Sequence, residues 1–321
     1  MAGSYKKIDY RVRPGKSIER KMLAEAFRRL NHFHEVSGYT YVGMGSLYFA
    51  DFSLFHRSLG FERMISIENT TAEHSKNRFL LNVPFSQIEM QFGHSNVVLQ
   101  RMAIKGPLVV WLDYDGLLDK SCLTDIKYVA KKAPSGSVIV VTANADAKSL
   151  QALIDEEEGL NDMLDVTRSL LGEEHLPPGL TAADIHGGRV GDIFRAVIHA
   201  AIEDGIRNRN TEVQEDASFS YLQIFNFRYS DGARMLTVGG VLLSKKDDEK
   251  FKAASFEQLP FTRTGDDSYF IDPPSLTFSE MRRIDACAND NLCALGLPMK
   301  DVERYRMTYR YFPNFVEAEV S

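Results

Sequence analysis

A doubly wound α/β fold, mostly parallel and closed at its C-terminal end by an antiparallel hairpin, is what this sequence predicts. Three observations carry that expectation. Five short apolar runs, "YTYVGMG", "RMISIEN", "IEMQFGH", "PLVVWLDYD" and "GSVIVVTAN", alternate with stretches of helical spacing between residues 39 and 145. Buried strands separated by helices pair in parallel, with both sheet faces covered. Further on, "SYLQIFNFRYSDGARMLTVGGVLLS" places two β-rich runs around "SDGA", the pattern of a hairpin. A length of 321 residues is enough for a large core with elaborations.

Taken in order, residues 1–38 form a basic segment and a helix. Lys6, Lys7, Arg11, Arg13, Lys16, Arg20 and Lys21 stand there against only Asp9 and Glu19. Ser17 is the expected N-cap, followed by Ile18, Met22, Leu23, Ala26, Phe27 and Leu30 on one helical face. Residues 39–145 are the ligand-binding core. Residues 146–217 read as a helical insertion, with the acidic run "DEEEGLNDMLD", the breaker cluster "HLPPGL" and the helix "GDIFRAVIHAAIEDGIRNR". Residues 218–245 are the hairpin. Residues 246–321 are a C-terminal extension with helices at "SEMRRIDACAND" and "MKDVERYRMTYR".

Composition narrows the class of protein. The chain is 44% hydrophobic and 26% charged, as in an ordinary globular protein, and has no apolar run of the length a membrane helix needs. The N-terminus lacks a secretion signal, so the cytoplasm is the expected compartment. Cys122, Cys287 and Cys293 form no CxxC pair and lack histidines at zinc-finger spacing, which argues against a disulfide framework and a structural zinc site. A net charge of −6 does not favour non-specific nucleic-acid binding by the whole chain. The tyrosines and arginines interleaved in "ERYRMTYRYF" suit single-stranded nucleic acid, but equally internal packing or a homo-oligomer interface.

The functional residues should lie at the carboxyl ends of the strands. Gly43 and Gly45 follow the first strand, where a tight turn lets backbone approach a ligand and, with Ser46, a helix N-terminus offers free amides. Glu68 ends the second strand about 20 residues on, where a carboxylate can accept from both hydroxyls of a ribose, with Asn69 beside it. Gly93, His94 and Ser95 end the third strand, on a rim that suits an adenine edge, although His94 reads equally as an ordinary rim histidine. Asp113 ends the fourth strand, followed by Tyr114, Asp115 and Asp119; a carboxylate there can hold a substrate, bind a cation or accept a proton. Asp115 and Gly116 read as a turn, and Trp111 as core. Asn144 and Asp146 end the fifth strand. Arg11, Arg13 and Lys16 precede a helix start, where an anion could dock or the chain's own acidic surface could bind.

This ordered set resembles the core of class I S-adenosylmethionine-dependent methyltransferases, which have a Rossmann-like sheet, and more narrowly the catechol O-methyltransferase type. The similarity lies in the glycine turn, "SIENTTAEHSKNRF", "FGHS" and "VVWLDYDG", with the hairpin matching the antiparallel strands such enzymes append. It covers residues 39–145 and, loosely, the hairpin. The stretch "RPGKSIERK" further resembles a bacterial O-methyltransferase family of uncharacterised activity. The resemblance implies that Gly43, Gly45 and Ser46 face the methionine end of the donor, Glu68 and Asn69 its ribose, and Gly93, His94 and Ser95 its adenine. It sets Asp113 beside the sulfonium and the acceptor as first candidate for taking the acceptor's proton. Lys16 is the second, if the N-terminal segment folds over the pocket.

Two departures stand out. "YTYV" replaces the acidic residue that usually precedes the glycine turn. Ala143 stands where the catechol type carries a metal-binding carboxylate, leaving Asp113, Asn144 and Asp146 and no support for magnesium dependence. The expected activity is methyl transfer to the hydroxyl of an unidentified acceptor, a small molecule or nucleotide-like compound that is anionic if the basic segment binds it. The eroded first motif motivates an alternative, a non-catalytic nucleoside-binding sensor or effector subunit. A nicotinamide dehydrogenase uses similar signals, but Tyr48 at the third glycine position and the terminal hairpin disfavour it.

Overall fold

Eight strands form one sheet in the order β3-β2-β1-β4-β5-β7-β6-β8. The computed structural model describes residues 13–156, 158–287 and 296–313. Arg11, the lysines before it, Cys293 and the end of the "SEMRRIDACAND" helix lie outside those residues.

The first helix, α1 (Pro14–Arg28), begins four residues earlier than the sequence predicts. Proline supplies a preset φ at the first helical position and needs no hydrogen-bond partner there. Arg13 therefore occupies the N-cap, and Ser17 falls inside the first turn, donating its amide to the Arg13 carbonyl at 2.9 Å. Then come β1 (Thr40–Gly43), α2 (Ala50–Leu59), β2 (Arg63–Glu68), α3 (Glu73–Leu81), β3 (Ile88–Phe92), α4 (Ser95–Arg101), β4 (Leu108–Asp113), α5 (Lys120–Lys132) and β5 (Ser137–Asn144). All five strands run parallel, as their continuous apolar character requires.

Residues 146–217 hold α6 (Ala147–Glu156), α7 (Met163–Leu171) and α8 (Arg189–Asn210). Val190, Phe194, Val197, Ile198, Ala201, Ile202 and Ile206 repeat at helical spacing and bury α8 in the same core as α5. The axes come close because Gly205 carries no side chain: a Cβ there would lie 2.5 Å from the Lys127 carbonyl oxygen.

The hairpin is β6 (Phe219–Ser230) and β7 (Arg234–Ser244), joined through Asp231-Gly232-Ala233. β7 alone among the described strands runs antiparallel, between β5 and β6. Next come α9 (Asp248–Ala254), β8 (Tyr269–Ile271), which adds to β6 in parallel, α10 (Phe278–Ala286) and α11 (Met299–Thr308).

Each sheet face has its own core. One packs β1, β4, β5 and β6 against α1 and α2, with Phe27 edge-on to Phe55 and Phe225 at centroid distances of 5.4 and 6.4 Å. The other packs the same sheet against α4, α5 and α8. β1 lies between β2 and β4, so the chain reverses its direction of winding at β1 and opens a crevice at its carboxyl end.

Candidate active site

The turn after β1 is longer than a strand running straight into a helix. It spans Met44 to Phe49, and Ser46 (φ 48°) and Phe49 (φ 45°) both adopt left-handed backbone. The room made by the two glycines on the core side is filled by the chain itself. A Cβ on Gly43 would lie 2.6 Å from the Tyr41 hydroxyl oxygen, and one on Gly45 2.6 Å from the Phe49 ring. Tyr41 donates its hydroxyl to Asp51, buried in the first turn of α2. A carboxylate thus does lie beneath the turn, delivered by α2 and not by β1. Burial pushes the Asp51 carboxyl above the usual range, and nearby Arg20 and the Tyr41 bond partly offset that.

Glu68 braces the turn from the neighbouring strand. Its Oε1 accepts the Ser46 amide at 2.8 Å, while Ser66 Oγ accepts the Gly45 amide at 3.2 Å. Burial drives the Glu68 carboxyl up to about 8; the Ser46 amide pulls it down, and the charges of Asp51 and Asp115 raise it further. Asn69 is exposed beside it. Gly93 continues the rim: its amide donates to the Glu68 carbonyl at 3.1 Å, and its φ of 148° favours glycine. His94 is exposed at the N-cap of α4, and Ser95 Oγ donates to Asp125, which also accepts from the Tyr114 hydroxyl at 2.8 Å.

Asp113 is met from the other side of the crevice by the N-terminal helix. Lys16 Nζ lies 2.6 Å from Asp113 Oδ1 and 2.9 Å from Glu19 Oε2, and 4.3 Å from the centroid of the Trp111 ring. Lys16 and Glu19 are buried, and Asp113 is 19% exposed. Glu19 also accepts from Thr237 Oγ1, which lies 2.7 Å from Thr142 Oγ1, itself the acceptor for Trp111 Nε1 at 2.9 Å. Burial pushes the Glu19 carboxyl up, against the Lys16 charge. Asp231 anchors the helix start, accepting from the amides of Gly15 at 3.3 Å and Lys16 at 2.8 Å. Trp111 is a core residue, and its edge and face serve this network.

From the sequence, site roles fall to Lys16 and Asp113 but to none of Glu19, Thr237, Tyr41, Asp51 or Asp231. One signal was present. Lys16, Glu19, Arg20, Leu23 and Phe27 follow one helical stripe, so charged residues head an apolar face that must be buried.

The end of β5 is structural. Asn144 donates to Ser149 Oγ at 2.9 Å and accepts the Asp146 amide at 2.9 Å, while Asp146 accepts from the amides of Lys148 and Arg234 at 3.1 and 3.4 Å. These bonds turn the chain into α6. Among the described residues no group of three or more His, Cys, Asp or Glu is placed to hold a metal ion.

The family described as Putative O-methyltransferase matches this sequence over residues 8–320. The chain belongs to that family. No curated protein matches it. Among solved structures, the O-methyltransferase TomG from Streptomyces achromogenes, in complex with SAM, is similar at 14% identity over 70% of this chain and 79% of its own, with a TM-score of 0.35. An O-methyltransferase from Bacillus cereus, in complex with SAH, has 15% identity over 74% and 85%, with a TM-score of 0.35. Trm1 from Pyrococcus horikoshii, with S-adenosyl-L-methionine, has 11% identity over 73% and 57%, with a TM-score of 0.41. At these values neither the fold nor the activity of the present methyltransferase rests on them. No helix among the described residues is long and apolar enough to cross a membrane.

Proposed function

We infer that this methyltransferase moves a methyl group from S-adenosylmethionine to an acceptor hydroxyl at the carboxyl end of β4. The observation that carries the reading is the meeting of Lys16 and Asp113 there, 2.6 Å apart, beside the crevice where the strand order reverses. The rim offers a donor ribose a hydrogen-bonding carboxyl: burial, with the charges of Asp51 and Asp115 nearby, raises the proton affinity of Glu68. On this reading Gly43, Gly45, Ser46, Glu68, Asn69, Gly93, His94 and Ser95 hold the donor. When bound, S-adenosylmethionine supplies an electrophilic methyl group on a sulfonium.

The chain's own part is positioning and proton handling. Asp113 accepts the proton of the acceptor hydroxyl. Lys16, fixed between Asp113 and Glu19, holds that carboxylate in place and lowers the cost of negative charge on the acceptor oxygen. Calorimetric titration with S-adenosylmethionine and S-adenosylhomocysteine tests the donor half: micromolar binding is expected for the wild type and none for Glu68→Ala. Failure of the wild type to bind either compound would sink the reading. Asp113→Asn should still bind S-adenosylhomocysteine while transfer to a working acceptor falls by roughly 10²-fold or more. A non-catalytic sensor would instead bind donor and show no transfer in the wild type.

A further inference from the structure

Lys21, Glu25 and Arg28 follow one another along α1 at spacings of four and three residues, so their side chains leave the helix on one side. On that side α1 meets the second half of α2 and the single helical turn Tyr309–Tyr311, and the three elements enclose a pocket of about 280 Å³. Leu54 and Ser58 form the α2 wall, and Arg310 and Tyr311 the third. Lys16 stands in the first turn of α1 and does not line this pocket, which is therefore separate from the transfer point.

The charges in its wall do not balance. Among the described residues Lys21, Arg28 and Arg310 stand against Glu25 alone, an excess of two positive charges. Glu25 accepts the Tyr311 hydroxyl and lies 3.7 Å from the Arg310 guanidinium, beyond hydrogen-bond reach. Lys21 Nζ donates at 3.0 Å to the Phe312 carbonyl, a neutral partner, and burial pulls its ammonium below the usual range. Arg28 has no ion pair or side-chain hydrogen bond among the described residues. A lysine carries three donors and an arginine five, so the wall holds far more donors than acceptors. A phosphate monoester answers both excesses: it carries close to two negative charges at neutral pH, and its oxygens accept paired hydrogen bonds from guanidinium forks. A carboxylate would answer only one of the two charges.

We propose that this pocket binds a phosphate group, free or carried by a small phosphomonoester, with Arg28, Arg310 and Lys21 supplying the donors. Its volume falls below that of sites for drug-sized compounds, which suits a phosphate whose remaining substituent lies toward solvent. Bound phosphate ties α1, the helix that carries Lys16, to α2 and to the turn at Tyr309–Tyr311, and so stabilises the folded chain by mass action. The site does not depend on the methyl-transfer reading.

The test titrates the full chain with inorganic phosphate and with glycerol 3-phosphate, by calorimetry and thermal melts, in chloride buffers whose constant ionic strength holds general screening fixed. Both probes should bind the wild type and raise its Tm by about 3 °C at ten times Kd. Arg28→Gln and Arg310→Gln change exposed side chains, so both variants should fold, and each should weaken binding about ten-fold through loss of one charge-assisted pair. Tighter binding of the ester would support a phosphomonoester as the natural ligand, and equal affinity would support the free anion. Absence of binding to the wild type, an affinity unchanged in both variants, or competition between phosphate and S-adenosylhomocysteine would overturn the proposal.

Discussion

Glu68 is asked to do two opposed things: accept the Ser46 amide as a carboxylate and sit half-buried near other carboxylates. Burial wins, and the group titrates near 8 in place of 4.5. The sign of the consequence follows from linkage. Between those values the folded chain holds a proton that the unfolded chain has lost, so this residue's contribution is full below pH 4.5 and is lost as pH rises through 8. Thermal melts of Glu68→Gln should therefore lose less Tm than the wild type between pH 5 and 8.5; parallel curves would show that Glu68 does not titrate there. Lys16 offers a second test. Lys16→Met leaves Glu19 buried without its counter-charge, which should cost about 3–5 kcal/mol, and Lys16→Met with Glu19→Gln should recover much of it. Denaturant melts of the three proteins measure the coupling.

At the level of elements, the parallel strands were legible because each is a short run buried on both faces: β4 and β5 have no polar position before their carboxyl ends except small hydroxyl residues. The helix starts were less legible. Pro14 and not Ser17 begins α1, and α2 waits for a six-residue turn whose two left-handed non-glycine residues have no sequence signal. Gly45 lies in that turn, and Gly45→Ala should press a methyl group onto Phe49 and displace the Ser46 amide from Glu68. Loss of S-adenosylhomocysteine binding is the expected outcome, with a stability loss of about 1–3 kcal/mol in a denaturant melt from overpacking against the buried Phe49 ring. Gly205 makes the opposite kind of demand. Although alanine favours a helix by about 1 kcal/mol, Gly205→Ala should destabilise by about 1–3 kcal/mol net, because its methyl group meets the rigid Lys127 carbonyl in α5. An unchanged midpoint would mean that the two helices can part without cost.

The molecule as a whole is organised by α1, which closes one face of the sheet and carries Lys16 to the active-site edge. Phe27 ties this helix to α2 and β6 through Phe55 and Phe225. Phe27→Ala should cost about 3–5 kcal/mol in a chemical melt and, by loosening α1, should lower any transfer activity further than the stability loss alone explains. The sequence by itself determined the strand runs, the hairpin and the polar residues at the strand ends, because apolar periodicity and the residue types that end strands are local properties. Tertiary structure alone decided that Lys16 meets Asp113, that Asp51 of α2 underlies the glycine turn, and that Asp231 of the hairpin holds the first amides of α1. Those pairings join residues brought together by the crossing of whole elements, and which charges end up buried, paired or left over depends on packing that no local pattern encodes.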